Sequence, residues 1–423
     1  MRVRRTQLTR RTSGQRLAGR RRLSPVRAVA SVLLAGALAV TATACTSGGD
    51  KGGGGPAWQG GNEAEQKPKA SAAITAPAAD AKDVPASAEI TFTSKDATET
   101  KVEVKNAAGE TVEGNLNGDG TWLPEKQLDY GTTYTATVTA TGDDGKPATA
   151  TSTFTTMAKP GKQVRVTSFL GDGQTVGVGM PLIVKFSRAI PEDYRDDVQR
   201  RMTVKATPTQ EGIWHWVSPT EVRYRPKTYW KANTKIFYKI QAGGLPMGDG
   251  YYGRADLTVD IKTGTALLMT VDNKSKKMTV TRDGKTIKTI PISLGKKSTP
   301  SSSGTMVIIE KKKETVFDTM DDPNPENRYI TDIEYAQRLT WGGEFIHAAP
   351  WSVADQGRRN VSHGCVNMST ANAKWLFNQT RIGDPIVVKG TETKLQNGNG
   401  WTDWNMSWDE YVKGSAIPYK PAG

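Results

Sequence analysis

Residues 345–367 read FIHAAPWSVADQGRRNVSHGCVN, and the folding of that stretch decides what the C-terminal part of the chain is. It opens on a β-type run, 344–347, that ends in His347, and it closes on a tight Ser-His-Gly-Cys turn followed by Val366 and Asn367. Cys365 lies 18 residues after His347 and two after His363. A thiol of pKa about 8.5 is only a few per cent thiolate at neutral pH yet is intrinsically nucleophilic, so an imidazole that takes its proton supplies what it lacks. His347, at the end of a strand, can be held rigidly, with its second nitrogen donating to a backbone carbonyl that fixes the tautomer. His363 is nearer in sequence, but two residues is an awkward separation for proton transfer. Gly364 permits a tight backbone path, and the amides of His363, Gly364 and Cys365 can converge on a developing oxyanion. Free cysteine is often a small buried hydrophobe, but this turn ahead of a polar helix start is a poor place for one.

His347, a 14-residue spacer and then Ser362-His363-Gly364-Cys365-Val366-Asn367 together resemble the signature of the L,D-transpeptidases, the YkuD-type catalytic family that crosslinks bacterial cell wall. The likeness continues through 345–353, Gln356-Gly357 and the Trp-rich tail, and covers 265–423. It implies Cys365 as nucleophile and His347 as base, Ser362 and His363 as supports of the turn, and Asn367 as a substrate contact. It further implies Tyr329 as a lid over the cleft, and Gly342 and Gly343 as backbone contacts to the donor peptide. Some relatives carry serine after the histidine, where this chain has Ala348; the carbonyl survives that change, so the orienting bond should too. The implied reaction is 3→3 crosslinking of peptidoglycan stem peptides through a thioester, releasing the terminal D-alanine of a tetrapeptide donor. No cofactor or metal is implied, and carbapenem-type β-lactams are the implied inhibitors. A zinc site at His347, His363 and Cys365 lacks any CxxC or HExxH spacing, and the Cys-Gly-Ser-Cys-Trp signature of papain-like proteases is absent. An L,D-carboxypeptidase and a wall-binding spacer lipoprotein stay open as alternatives.

Outward from this core the sequence reads as mainly β. Strand-like runs at 267–271, 277–281, 286–292, 306–309 and 385–389 belong to the same unit, with a hairpin turn at Asp283-Gly284. One helix is expected over 370–380, capped by Ser369 and stopped at Gly383, with Ala373, Leu376 and Phe377 on one face. Upstream, alternating runs at 89–93, 101–105 and 134–140, and then at 164–166, 182–186, 214–217, 222–224, 236–240 and 257–261, suggest two tandem immunoglobulin-like β-sandwiches over 73–158 and 161–263. The catalytic unit is expected over 265–389 and a C-terminal subdomain over 390–423. There, the spacing of Trp404, Trp408 and Tyr411 puts three rings on one side of a short helix, with packing favoured over glycan stacking. His215, between Trp214 and Trp216, should face outward if the tryptophans face in.

The 423 residues exceed one ordinary core, and a composition of 36% hydrophobic and 24% charged residues excludes a multispan membrane protein. The formal charge of +14 falls to +4 once ten arginines within residues 1–27 are set aside, so no nucleic-acid partner is expected. That Arg-rich start precedes an apolar run at 28–40, too short to span a bilayer comfortably, and then the junction Ala42-Thr43-Ala44-Cys45. Small residues before a cysteine resemble a lipobox, although Ala42 stands where leucine is more usual. A lipoprotein signal over 1–44, lipid on Cys45 and a flexible tether over 45–72 follow as expectations. They place the protein on the outer face of the membrane, reaching into the wall. With Cys45 so used, Cys365 has no disulfide partner.

Overall fold

A computed structural model describes residues 68–321 and 323–420. The signal, Cys45 and nearly all of the expected tether lie outside the described residues. The tether is shorter than expected at its C-terminal end: Ser71–Ala76 is a strand, with Ser71 opposite Lys95 and Ala72 opposite Ser94.

Two four-stranded sheets build the first unit. In Thr133–Thr141 every second side chain, Tyr134, Ala136, Val138 and Ala140, is buried, which is the alternation a sheet with one covered face requires. That face packs around Ile90, Phe92, Val104, Trp122 and Phe154. Two further four-stranded sheets follow, enclosing Trp214, Trp216, Trp230 and Tyr238. The tryptophans of Gly212–Ser218 face this core and His215 points the other way, yet His215 is not a free surface residue. Tyr411 stacks on it at 4.6 Å between ring centroids, and its Nδ1 lies 2.7 Å from Tyr411 O, because the C-terminal tail covers that face.

In the last unit a six-stranded sheet has Leu267–Asp272 between Lys277–Arg282, antiparallel, and Pro385–Lys389, parallel. Asp283 and Gly284 both take positive φ, 49° and 81°, as a tight two-residue hairpin turn demands. A four-stranded sheet runs Glu310–Asp318, Ile330–Arg338, Phe345–Ala348, Val366–Met368. Thr370–Gln379 is the expected helix, and Ser369 Oγ accepts the Asn372 N–H at 3.3 Å. It stops earlier than Gly383: Thr380 turns extended, its hydroxyl donating to Gln337 Oε1 at 2.5 Å.

The tail also departs from expectation. Trp404 lies in a 3-10 turn, Asp403–Asn405, and Trp408–Tyr411 is a separate helical turn. Ser407 forms a capping box with Glu410, and an N-cap needs extended backbone, so one continuous helix is impossible there. The three rings still converge, with the Arg225 guanidinium 4.6, 5.2 and 4.4 Å from the centroids of Trp404, Trp408 and Tyr411. Packing is therefore what these aromatic residues do.

Candidate active site

The histidine strand, Phe345–Ala348, and the strand that follows Cys365, Val366–Met368, run parallel with Ile346 opposite Val366, His347 opposite Asn367 and Ala348 opposite Met368. Ile346, Ala348, Val366 and Met368 enter the apolar core. The alternation of a strand then sends His347 and Asn367 to the other face. There they line a cavity of about 480 Å³ together with Cys365, Tyr329, Trp351 and Ser352. Residues 20 apart in sequence thus become neighbours through strand register, and Cys365, just before the second strand, lines the same cavity.

His347 is 3% exposed, and its Nδ1 lies 2.7 Å from Ala348 O, the backbone bond expected despite the missing serine. That bond places the proton on Nδ1 and leaves the Nε2 lone pair as the base. Phe317 meets the ring edge-on at 5.5 Å and Trp351 tilts over it at 6.0 Å. Burial pushes its pKa down to about 4, against the opposing pull of the Ala348 carbonyl. The buried Cys365 thiol is pushed up to about 12, by burial first and by the Glu344 charge as well, with the Phe345 amide working the other way. Its Sγ contacts Gly343 O at 3.7 Å. At neutral pH the two groups are therefore a neutral thiol and a neutral imidazole.

Ser362 ties the turn together: its hydroxyl donates to Cys365 O at 2.7 Å and accepts the Gly364 N–H at 3.2 Å. The second bond corrects one expectation, because an amide engaged by Ser362 is removed from the oxyanion trio of His363, Gly364 and Cys365. Gly364 has φ +116°, which an L side chain rarely adopts, and its carbonyl accepts from Ser301 Oγ at 2.7 Å. His363 is exposed; its Nε2 is 3.1 Å from Lys296 Nζ and its ring lies 5.3 Å from that of Tyr329. Tyr329 stands at the loop end of the Glu310–Asp318 and Ile330–Arg338 hairpin, where its N–H donates to Thr319 Oγ1 at 2.9 Å; burial raises its pKa first, and the neighbouring Cys365 adds to that. Gly342 and Gly343 lie outside the cavity lining: Gly342 N–H donates to Asn399 Oδ1 at 2.8 Å, and Gly343 meets the thiol through its carbonyl.

Sequence reasoning missed Glu344, Ser301, Ser302 and Ser352. The Glu344 carboxylate accepts from Ser302 Oγ at 2.6 Å and from the Ser302 N–H, and burial raises its pKa. A carboxylate immediately before a strand was visible, but Ser301 and Ser302 lie in a Ser-rich stretch more than 60 residues before Cys365, with no local signal. Among the described residues no three His, Cys, Asp or Glu side chains are grouped as a metal ion would need.

Residues 267–388 match the family described as the L,D-transpeptidase catalytic domain, and one bacterial Ig domain match spans 81–245, across strands of both upstream units. L,D-transpeptidase 2 of Mycobacterium tuberculosis (strain CDC 1551 / Oshkosh) is 34% identical over 354 residues, 82% of this chain and 85% of that protein. L,D-transpeptidase 5 of Mycobacterium tuberculosis (strain ATCC 25618 / H37Rv) is also 34% identical, over 84% of this chain and 79% of its own. A solved L,D-transpeptidase structure in complex with imipenem is 34% identical and covers 53% of this chain and 97% of its own, with a TM-score of 0.46. A thiol and a neutral imidazole lining one cavity, the catalytic-domain match around them and relatives covered over most of their length lead to one conclusion: this chain belongs to the L,D-transpeptidase family.

Proposed function

We propose that the protein is a peptidoglycan L,D-transpeptidase that forms 3→3 crosslinks through a Cys365 acyl-enzyme. The observation that carries this is His347, a buried base with Nδ1 bound to Ala348 O, on the strand beside Cys365 in one cavity. His347 takes the thiol proton as sulfur attacks the amide after the third residue of a tetrapeptide stem, then gives that proton to the departing D-alanine nitrogen. A side-chain amine of a second stem then attacks the thioester, passing its proton to His347 as sulfur leaves. Amides at His363 and Cys365 serve the oxyanion, Ser362 and His363 hold the turn, Tyr329 covers the cleft, Asn367 contacts the substrate, and the backbone at Gly342 and Gly343, beyond the cavity wall, contacts the donor peptide. Cys365→Ala should abolish crosslinking while leaving the circular dichroism spectrum unchanged; near-wild-type 3→3 product, measured by muropeptide analysis, would refute the assignment. By the same chemistry a strained β-lactam carbonyl acylates Cys365, with carbapenem-type compounds as inhibitors.

The placement we propose is outside the cell membrane, anchored by lipid on Cys45, with a tether and two Ig-like modules, 73–158 and 161–263, carrying the catalytic unit 265–389 and tail 390–423 into the wall. The Ala42–Cys45 junction and the Arg-rich, then apolar, leader support it. Two acyl chains at about 0.8 kcal/mol per buried CH₂ give stable attachment. Cys45→Ala should therefore release the protein from the membrane fraction or stall its processing, and a variant that fractionates and matures like wild type would refute the anchor.

A further inference from the structure

Asn367 is 3% exposed and lines the cavity as the register partner of His347. Its Nδ2 donates to Ser352 Oγ at 3.3 Å, while its Oδ1 is buried with no hydrogen-bond partner among the described residues. The direction of this amide follows from Ser352. That serine, 1% exposed, donates its one hydroxyl proton to Ala349 O at 3.1 Å, so its oxygen can only accept from other groups. Gln356 Nε2 also donates to it, at 3.3 Å, and to Ala349 O at 3.1 Å. Turned over, the Asn367 amide would require the Ser352 hydroxyl to give up Ala349 O, which the Ser352 N–H and Gln356 Nε2 also reach, and turn its proton to Oδ1. In the observed orientation the amide leaves an acceptor and not a donor for a ligand.

A buried acceptor left without a donor is costly unless a ligand N–H fills it. We propose that Ser352 is a positioning residue of the reaction: by holding the Asn367 amide it presents Oδ1 to the N–H of the reacting nitrogen. The inference rests on the transpeptidase reading above. In acylation that nitrogen is the leaving one: its C–N bond breaks as it receives the proton that His347 took from the thiol. In aminolysis it is the arriving one: its lone pair forms the new C–N bond, the C–S bond breaks, and its surplus proton passes through His347 to sulfur. Each time the nitrogen passes through a stage with an extra proton and positive charge, where an N–H bond to Oδ1 is strongest. Water has no substituent to fix the direction of its O–H groups, so losing the oriented acceptor should harm aminolysis more than hydrolysis.

The test measures, on the full chain with a tetrapeptide donor and a fixed concentration of acceptor stem, the ratio of crosslinked to hydrolysed product. A ratio over acyl-enzyme already formed does not depend on how much protein is folded. Ser352→Ala should lower it about tenfold, the loss expected for one well-placed hydrogen bond, and Ser352→Thr, which keeps the hydroxyl, should restore it to within about twofold. An unchanged ratio in Ser352→Ala, or an equal fall in Ser352→Thr, overturns the inference. Absence of crosslinked product from wild type would instead overturn the transpeptidase reading, and this inference with it.

Discussion

Burial acts on the two reacting groups in opposite senses. It holds His347 as a free base down to about pH 4 and keeps the Cys365 thiol protonated up to about pH 12. The nucleophile is therefore not a standing thiolate, and the alkylation of Cys365 by iodoacetamide should rise steadily with pH through the neutral range. A plateau between pH 6 and 8 would reveal an ion pair and contradict this. The meeting of Cys365 and His347 in one cavity was legible because the spacing and the turn carry it locally. The neutral state of the pair was not legible: it depends on Phe317, Trp351 and Glu344, which fold around the two groups from separate segments.

The His-Gly-Cys turn shows what an element asks of one residue. At φ +116° the Gly364 backbone lies where side chains are strained, although a Cβ there would meet nothing closer than Glu344 Cγ at 3.7 Å. Gly364→Ala should thus cost about 1–3 kcal/mol through backbone strain and not through a clash. Urea unfolding should report that loss together with slower Cys365 alkylation, and a wild-type midpoint would show that the turn relaxes freely. Strands and the Ser369-capped helix were legible from period and caps. The break at Met406 was not read, because a 404, 408, 411 spacing suits a helix and only the Ser407–Glu410 capping box interrupts it.

Across the molecule the tail works as a strap between the second sandwich and the catalytic unit. Asp403, 1% exposed, pairs with Arg223 Nη1 at 3.0 Å; the Tyr411 hydroxyl donates to Arg223 O at 2.9 Å, and Trp404 Nε1 donates to Gly179 O at 2.7 Å. Val307, Ile309 and Trp401 join the core of the second sandwich, so the two bodies share apolar burial. The first sandwich keeps a core of its own and meets the second through polar contacts such as Arg201 with Glu89 at 3.0 Å and with Ser87 O at 2.7 Å. Asp403→Ala leaves buried Arg223 with Glu221 alone and should cost about 3 kcal/mol, the low end for breaking a buried pair. Calorimetry should show the second sandwich and catalytic unit shifting together to lower temperature while the first sandwich stays in place; two separately moving transitions for the second and third units would refute the shared core.

The sequence by itself determined what is local: alternating strands, one capped helix, a hairpin at Asp283-Gly284, and a histidine and cysteine at a recognisable spacing. Each of these depends on contacts a few residues long or on a motif that can be read directly. Only the tertiary structure decided which groups meet. Parallel register brings Asn367 beside His347, Ser352 turns its amide, Ser362 occupies the Gly364 N–H, and the tail covers His215. These are pairings of directional donors and acceptors, in some cases between segments far apart along the chain, and a sequence states the partners available without stating the geometry that selects among them.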